Sequence, residues 1–138
     1  MQMNLQSPIS TIMTTPVESV DSHQKILAFK HLYEKRNFHR HIPVTEKDNL
    51  VGMVSLIDFM HAIGDATLDD DDPVYSSKMV ADIMSLDPVA VSGDTSIAEV
   101  GSLLTKGEFN SVVITRDRQV IGIVTTTDLL RYVLKEQN

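Results

Sequence analysis

The chain contains no cysteine. That absence excludes a disulfide framework, a thiol nucleophile and any thiolate-ligated metal. Positive charge is also scarce: 12 Lys and Arg face 19 Asp and Glu, a formal net charge of -7. Non-specific binding to nucleic acid or to an anionic membrane surface needs a basic excess, so neither is expected. No window approaches the ~18 consecutive apolar residues of a membrane span. Residues 1–10 lack both the basic start and the apolar core of a secretory signal. The expectation is a soluble, cytoplasmic protein. What is present is a 42% hydrophobic content over 138 residues, ordinary for one globular domain. The seven methionines are scattered and read as core filler.

The strongest signal is internal repetition. Gly52-Met53-Val54-Ser55-Leu56-Ile57-Asp58-Phe59-Met60 is answered 70 residues later by Gly122-Ile123-Val124-Thr125-Thr126-Thr127-Asp128-Leu129-Leu130. Each reads Gly, two apolar residues, a hydroxyl residue, two more, Asp, then two apolar residues. Upstream, Ile12-Met13-Thr14-Thr15-Pro16-Val17 matches Ile83-Met84-Ser85-Leu86-Asp87-Pro88-Val89 with one insertion. Ile26 and Leu32 match Ile97 and Leu103, and Ile42-Pro43-Val44 matches Val112-Val113-Ile114. Two copies are too few for a solenoid, so two units packed into one pseudo-symmetric domain are expected.

Periodicity assigns each copy the order β-α-β-β-α. In the first copy, residues 9–13 form a helical turn and residues 17–20 a strand. A helix covers about 22–36, with Ile26, Leu27, Phe29, Leu32 and Tyr33 on one face. Strands at 41–45 and 50–55 make a hairpin, followed by a helix over 56–63 that stops at Gly64. The run Asp69-Asp70-Asp71-Asp72 repels itself and reads as a solvated linker over 65–79. The second copy places helices at 80–84, 96–106 and 126–135 and strands at 89–91, 111–115 and 119–125. Three-stranded sheets with helices on one face leave apolar surface that pairing would bury.

The two Gly-to-Asp stretches carry candidate chemistry. Thr125 ends a strand and Asp128 lies in the first turn of the next helix, where free backbone N–H groups favour an anion. A hydroxyl there can bind a phosphate or a ribose hydroxyl, and a carboxylate can accept from a ribose diol. Ser55 and Asp58 repeat the pattern. A hydroxyl residue followed three later by an acid is also an ordinary capping box, and both roles can coexist in one turn. The second constellation is Arg36-Asn37-Phe38-His39-Arg40-His41, four basic side chains in an acidic protein. Arg40 and His41 lead directly into a strand, and the arginine fork suits phosphate. His41 would add charge only when protonated. The five histidines lie mostly on separate elements, so no metal site is expected. The Asp69–Asp72 run lacks the Gly and Glu of an EF-hand loop. No Ser, His and acid set has the spacing of a nucleophilic triad, so the chain is not expected to be an enzyme.

These pieces resemble the CBS domain, named for cystathionine β-synthase, and the pair resembles a Bateman module. The resemblance rests on Val80-Ala81-Asp82-Ile83-Met84, Pro88-Val89, Arg40-His41-Ile42-Pro43-Val44 and the two Gly-to-Asp stretches, and it runs from about Ile9 to Leu134. It implies an α+β tandem CBS pair over 1–138, with repeat 1 at 9–64, an acidic linker at 65–79 and repeat 2 at 80–135. It further implies a stand-alone sensor that binds an adenine nucleotide between the repeats. AMP comes first, with ADP, ATP or an S-adenosyl ligand as alternatives, and no cofactor is required. One cleft would combine Thr125 and Asp128 with Thr15, Val17, Val20, His39, Arg40 and His41. The other would combine Ser55 and Asp58 with Asp87, Val89, Asn110 and Ser111, and would be weak or empty for want of cations. The resemblance also implies a homodimer and a protein effector of unknown identity. The alternative is a structural or partner-binding module with no ligand.

Overall fold

The computed structural model describes residues 4–136. The chain forms two compact units. The first is Glu18–Pro88, and the second comprises the described parts of Met1–Val17 and Val89–Asn138.

The first unit contains β1 (Val20–Asp21), α1 (Leu27–Tyr33), β2 (His41–Glu46), β3 (Asn49–Ser55), α2 (Leu56–Ile63), α3 (Val74–Ser77), α4 (Val80–Ile83) and β4 (Ser85–Leu86). β1 runs parallel to β2, β2 antiparallel to β3, and β3 antiparallel to β4. Lys47 and Asp48 turn the hairpin with φ of 51° and 67°. Two left-handed residues in a two-residue loop match the twist of the strands they join. Val20, Ile26, Phe29, Ile42, Val44, Val54, Phe59, Tyr75 and Val80 form the core.

Several elements differ from the sequence expectation: the first strand is Val20–Asp21 rather than 17–20, and α3 and β4 have no counterpart in it. Helix α1 starts at Leu27 rather than near residue 22. Asp21 Oδ1 accepts from the His23 N–H at 2.8 Å, and Gln24 Oε1 accepts from the Asp21 N–H at 2.9 Å. These local turn bonds compete with helix. The acidic stretch keeps Asp69, Asp70 and Asp71 exposed, and it is also tied to the unit. Asp72 accepts from the Thr67 and Val74 N–H groups, and Asp70 accepts from Lys30 Nζ at 2.6 Å. Tyr75 is fully buried and donates to the Thr67 carbonyl at 2.6 Å. Specific partners offset the like-charge repulsion that the sequence pattern emphasised.

The second unit contains a 3₁₀ turn at Ile9–Thr11, then β5 (Ala90–Ser92), α5 (Ile97–Thr105), β6 (Ser111–Arg116), β7 (Gln119–Thr125) and α6 (Thr126–Glu136). β5 is parallel to β6, and β6 antiparallel to β7. Asp117 and Arg118 make the same left-handed hairpin turn, with φ of 51° and 71°. The duplication extends to irregularity: the β2–β3 ladder shifts between Val44 and Thr45, and β6–β7 between Ile114 and Thr115. The core is Ile9, Ile97, Val100, Leu104, Val112, Ile114 and Val124.

The short turn that opens each sequence repeat packs in the unit that holds most of the other repeat. Ile9, at the start of repeat 1, is wholly buried in the second unit, and its N–H donates to the Thr95 carbonyl at 2.7 Å. Val80, at the start of repeat 2, is wholly buried in the first unit, and its N–H donates to the Gln24 carbonyl at 2.8 Å. A glycine lets the segment after each turn lie close. A Cβ on Gly52 would stand 2.6 Å from Met84 Sδ, and one on Gly122 would collide with Met13 Sδ.

Candidate functional site

In the first unit the β2–β3 register sets His41 opposite Ser55, and the Leu56 N–H donates to the Arg40 carbonyl at 2.8 Å. The basic run therefore arrives at the start of α2. There Ser55 and Asp58 form a reciprocal capping box. The Asp58 N–H donates to Ser55 Oγ at 3.1 Å, and the Ser55 N–H donates to Asp58 Oδ2 at 3.0 Å. The cap uses one carboxylate oxygen, and Oδ1 has no hydrogen-bond partner among the described residues.

His41 is half-buried, and burial holds its imidazole below the ordinary range; the Asp58 charge pulls it back up and Arg40 pushes it down. Burial, and then the Asp58 charge, push the Tyr33 phenol up. Asp58 thus acts on two titratable neighbours, one of them a residue that the sequence pattern assigned only to a helix face. Phe38 lies within the basic run, is 39% exposed and meets the Tyr33 ring edge-on at 5.9 Å. β4 brings Ser85 opposite Met53, and Asp87 follows with a left-handed φ of 53°.

The second unit repeats the arrangement with different side chains. Ser111 faces Thr125 across β6–β7, and the Thr126 N–H donates to the Asn110 carbonyl at 3.1 Å. The Asp128 N–H donates to Thr125 Oγ1 at 3.1 Å, and the Thr125 N–H to Asp128 Oδ2 at 2.9 Å. Arg131 lies 3.8 Å from Asp128 Oδ1 but is 78% exposed. Thr14 exchanges backbone hydrogen bonds with Ile123 at 2.8 and 3.1 Å, which anchors the segment carrying Thr15 and Val17 in this unit.

Within the two units the candidate residues group as follows. Thr15 and Val17 accompany Thr125 and Asp128, as do Val89, Asn110 and Ser111. His39, Arg40 and His41 accompany Ser55, Asp58 and Asp87. The reason is the hairpin: an antiparallel pair returns the end of its second strand to the start of its first. Val20 is 3% exposed, inside the first core, so its side chain is a packing residue. Both hydroxyl–acid pairs are true helix caps, and each still presents a second carboxylate oxygen.

One further cluster joins His31, Glu34 and Asp70, all exposed, with ligand atoms within 4.8 Å of one another. The buried Lys30 ammonium already takes Asp70 Oδ1 at 2.6 Å and Glu34 Oε2 at 3.1 Å. The Lys30 and His31 hydrogen bonds hold the Asp70 carboxyl below its ordinary range. The cluster acts as an ion-pair clasp between α1 and the acidic stretch.

Comparison with known proteins matches the sequence to the CBS domain over residues 9–65 and again over 80–135. The chain belongs to the CBS domain family. A curated relative, the uncharacterized protein MJ1232 of Methanocaldococcus jannaschii, is 30% identical over 92 residues, 66% of this chain. The chain spans only 28% of that relative's length. Among solved structures, CBSX2 in complex with AMP matches with a TM-score of 0.77 at 23% identity, covering 96% of this chain and 99% of that one. The CBS domain pair of protein MJ0100, in complex with 5′-methylthioadenosine and S-adenosyl-L-methionine, matches with a TM-score of 0.76 at 22% identity, covering 96% and 98%. These structures share the fold of a CBS pair. Among the described residues no helix is long and apolar enough to cross a membrane.

Proposed function

We propose that this CBS pair is a regulatory, non-enzymatic module that binds an adenine nucleotide, AMP before ADP, ATP or an S-adenosyl ligand. One observation carries the reading: β2–β3 pairing sets His41 against the Ser55–Asp58 turn with Arg40 beside it. In this reading the free Asp58 oxygen accepts from the ribose diol, Ser55 assists, and Arg40 and His41 meet the phosphate, with His39 at the rim. Phe38 offers a ring face for adenine. The AMP-bound and S-adenosylmethionine-bound relatives of the same fold support the ligand class. A ligand that favours one arrangement of the molecule over another shifts its population, and that is how such a module would signal to an effector protein in the cytoplasm.

Thermal unfolding with each nucleotide tests the proposal. A ligand at 100 times its dissociation constant adds about 2.7 kcal/mol, a shift of several degrees for a domain of this size. AMP is expected to raise the melting temperature of the wild type and not that of Asp58→Asn. The asparagine oxygen can still accept the capping N–H, so the variant folds. A second reading, a partner-binding module without ligand, draws on the exposed Ile57 and Met60 of α2. It gains ground if no adenosine compound shifts the melt.

A further inference from the structure

The two hydroxyl–acid turns superpose in backbone chemistry and differ in charge. Arg40 and Asn110 each give a carbonyl to the first N–H of the following helix, at 2.8 and 3.1 Å. His41 and Ser111 occupy the same register position, opposite Ser55 and Thr125. At both positions a basic side chain in the first unit is replaced by a neutral one in the second.

Resting on the reading above, we propose that the units divide adenosine ligands by charge: the first takes a phosphorylated nucleotide, and the second a ribonucleoside without phosphate. Three groups of the second unit are available to such a ligand. Ser111 is 8% exposed, yet its hydroxyl has no partner among the described residues and keeps its opening to solvent. It lies across from Thr125, whose hydroxyl accepts the Asp128 N–H but has its own hydrogen unused among those residues. Asp128 spends Oδ2 on its cap, which leaves Oδ1 to accept from a ribose diol. Two hydroxyls and a carboxylate match a sugar edge, which both donates and accepts.

The same groups disfavour phosphate. The N-terminus of α6 would attract an anion, but the Asp128 carboxylate already occupies that field. In the first unit the equivalent turn carries Arg40 and the half-buried His41 beside Asp58. In the second, the neighbouring cation is Arg131, whose guanidinium is turned to solvent and 3.8 Å from Asp128. With no basic side chain at the positions of Arg40 and His41, a phosphate at this turn is expected to bind about tenfold more weakly.

Isothermal titration of the full chain tests this with AMP and adenosine. The wild type is expected to bind one AMP per chain, lost in Asp58→Asn. After saturation with AMP it is expected to bind one adenosine, lost in Asp128→Asn. Asn110 is exposed, so Asn110→Arg leaves the core intact and is expected to tighten AMP at the second unit about tenfold, giving a second equivalent. A second AMP equivalent in the wild type overturns the division, as does AMP binding that depends on Asp128 rather than Asp58. If one AMP binds through Asp58 but no adenosine joins it, the division fails while the nucleotide reading stands. If neither ligand binds, both fall together.

Discussion

At the scale of single residues, His41 makes stability depend on pH. Burial depresses its folded-state imidazole below the unfolded value of ~6.5. Between those two values the unfolded chain binds more protons than the folded one. The contribution of His41 to stability is therefore fully present above ~6.5 and is lost as pH falls through the window beneath it. Urea midpoints measured at pH 7.5 and 5.5 are expected to fall for the wild type and to fall less for His41→Gln. An equal fall in both proteins would remove His41 from the account. If nucleotide binds as proposed, a phosphate beside the ring favours the protonated form, and binding in this window is expected to take up protons. The carboxylates of Asp21, Asp70 and Asp72 lie below their ordinary range through hydrogen bonds, and their contribution is lost only in stronger acid.

At the scale of elements, the feature to test is the pair of turns that dock outside their own repeats. Gly52 admits the Met84–Ser85 segment so closely that an added Cβ would lie 2.6 Å from the thioether and 2.9 Å from the Ser85 carbonyl oxygen. Backbone cannot rotate away as a side-chain tip can. Gly52→Ala is expected to destabilise by about 1–3 kcal/mol, as overpacking does. Gly101→Ala provides the opposite sign. It lies inside α5, its nearest neighbour to a new Cβ is Leu129 Cδ1 at 3.9 Å, and alanine there should add about 0.5–1 kcal/mol. Denaturant titration of both variants checks the pair, and like signs would discard the close-docking account. The capping boxes belong to this scale too. Ser55→Ala and Thr125→Ala each remove a helix cap as well as a candidate ligand group, so asparagine at the acidic position separates the two roles more cleanly.

At the scale of the whole molecule, the exposed apolar residues bear on assembly. Ile57 and Met60 sit three apart on α2 at 65% and 56% exposure, and Leu130 of α6 is at 57%. Residues three apart share a helix face, and apolar patches on such faces mark association surfaces. We expect sedimentation equilibrium to give twice the 15.4 kDa chain mass, and Ile57→Glu to lower it towards that of one chain. An unchanged mass in the variant would place the interface elsewhere. The acidic balance that speaks against nucleic acid also keeps such a dimer soluble.

The sequence by itself carried the duplication, both hairpins, both capping patterns and the four basic side chains at and just before the start of β2. The duplication shows as a repeated pattern and the others are set by residues within a few positions of one another, so each was legible without the fold. Tertiary structure decided three further things. Strand register delivered Arg40 and His41 to the Ser55–Asp58 turn. Long-range packing placed Ile9 and Val80 each in the core of the unit that holds most of the other repeat. Ion pairs from α1, together with the buried ring of Tyr75, tied down an acidic run whose side chains stay exposed. In all three cases the deciding contacts join residues far apart in sequence, and their free energy depends on which surfaces meet.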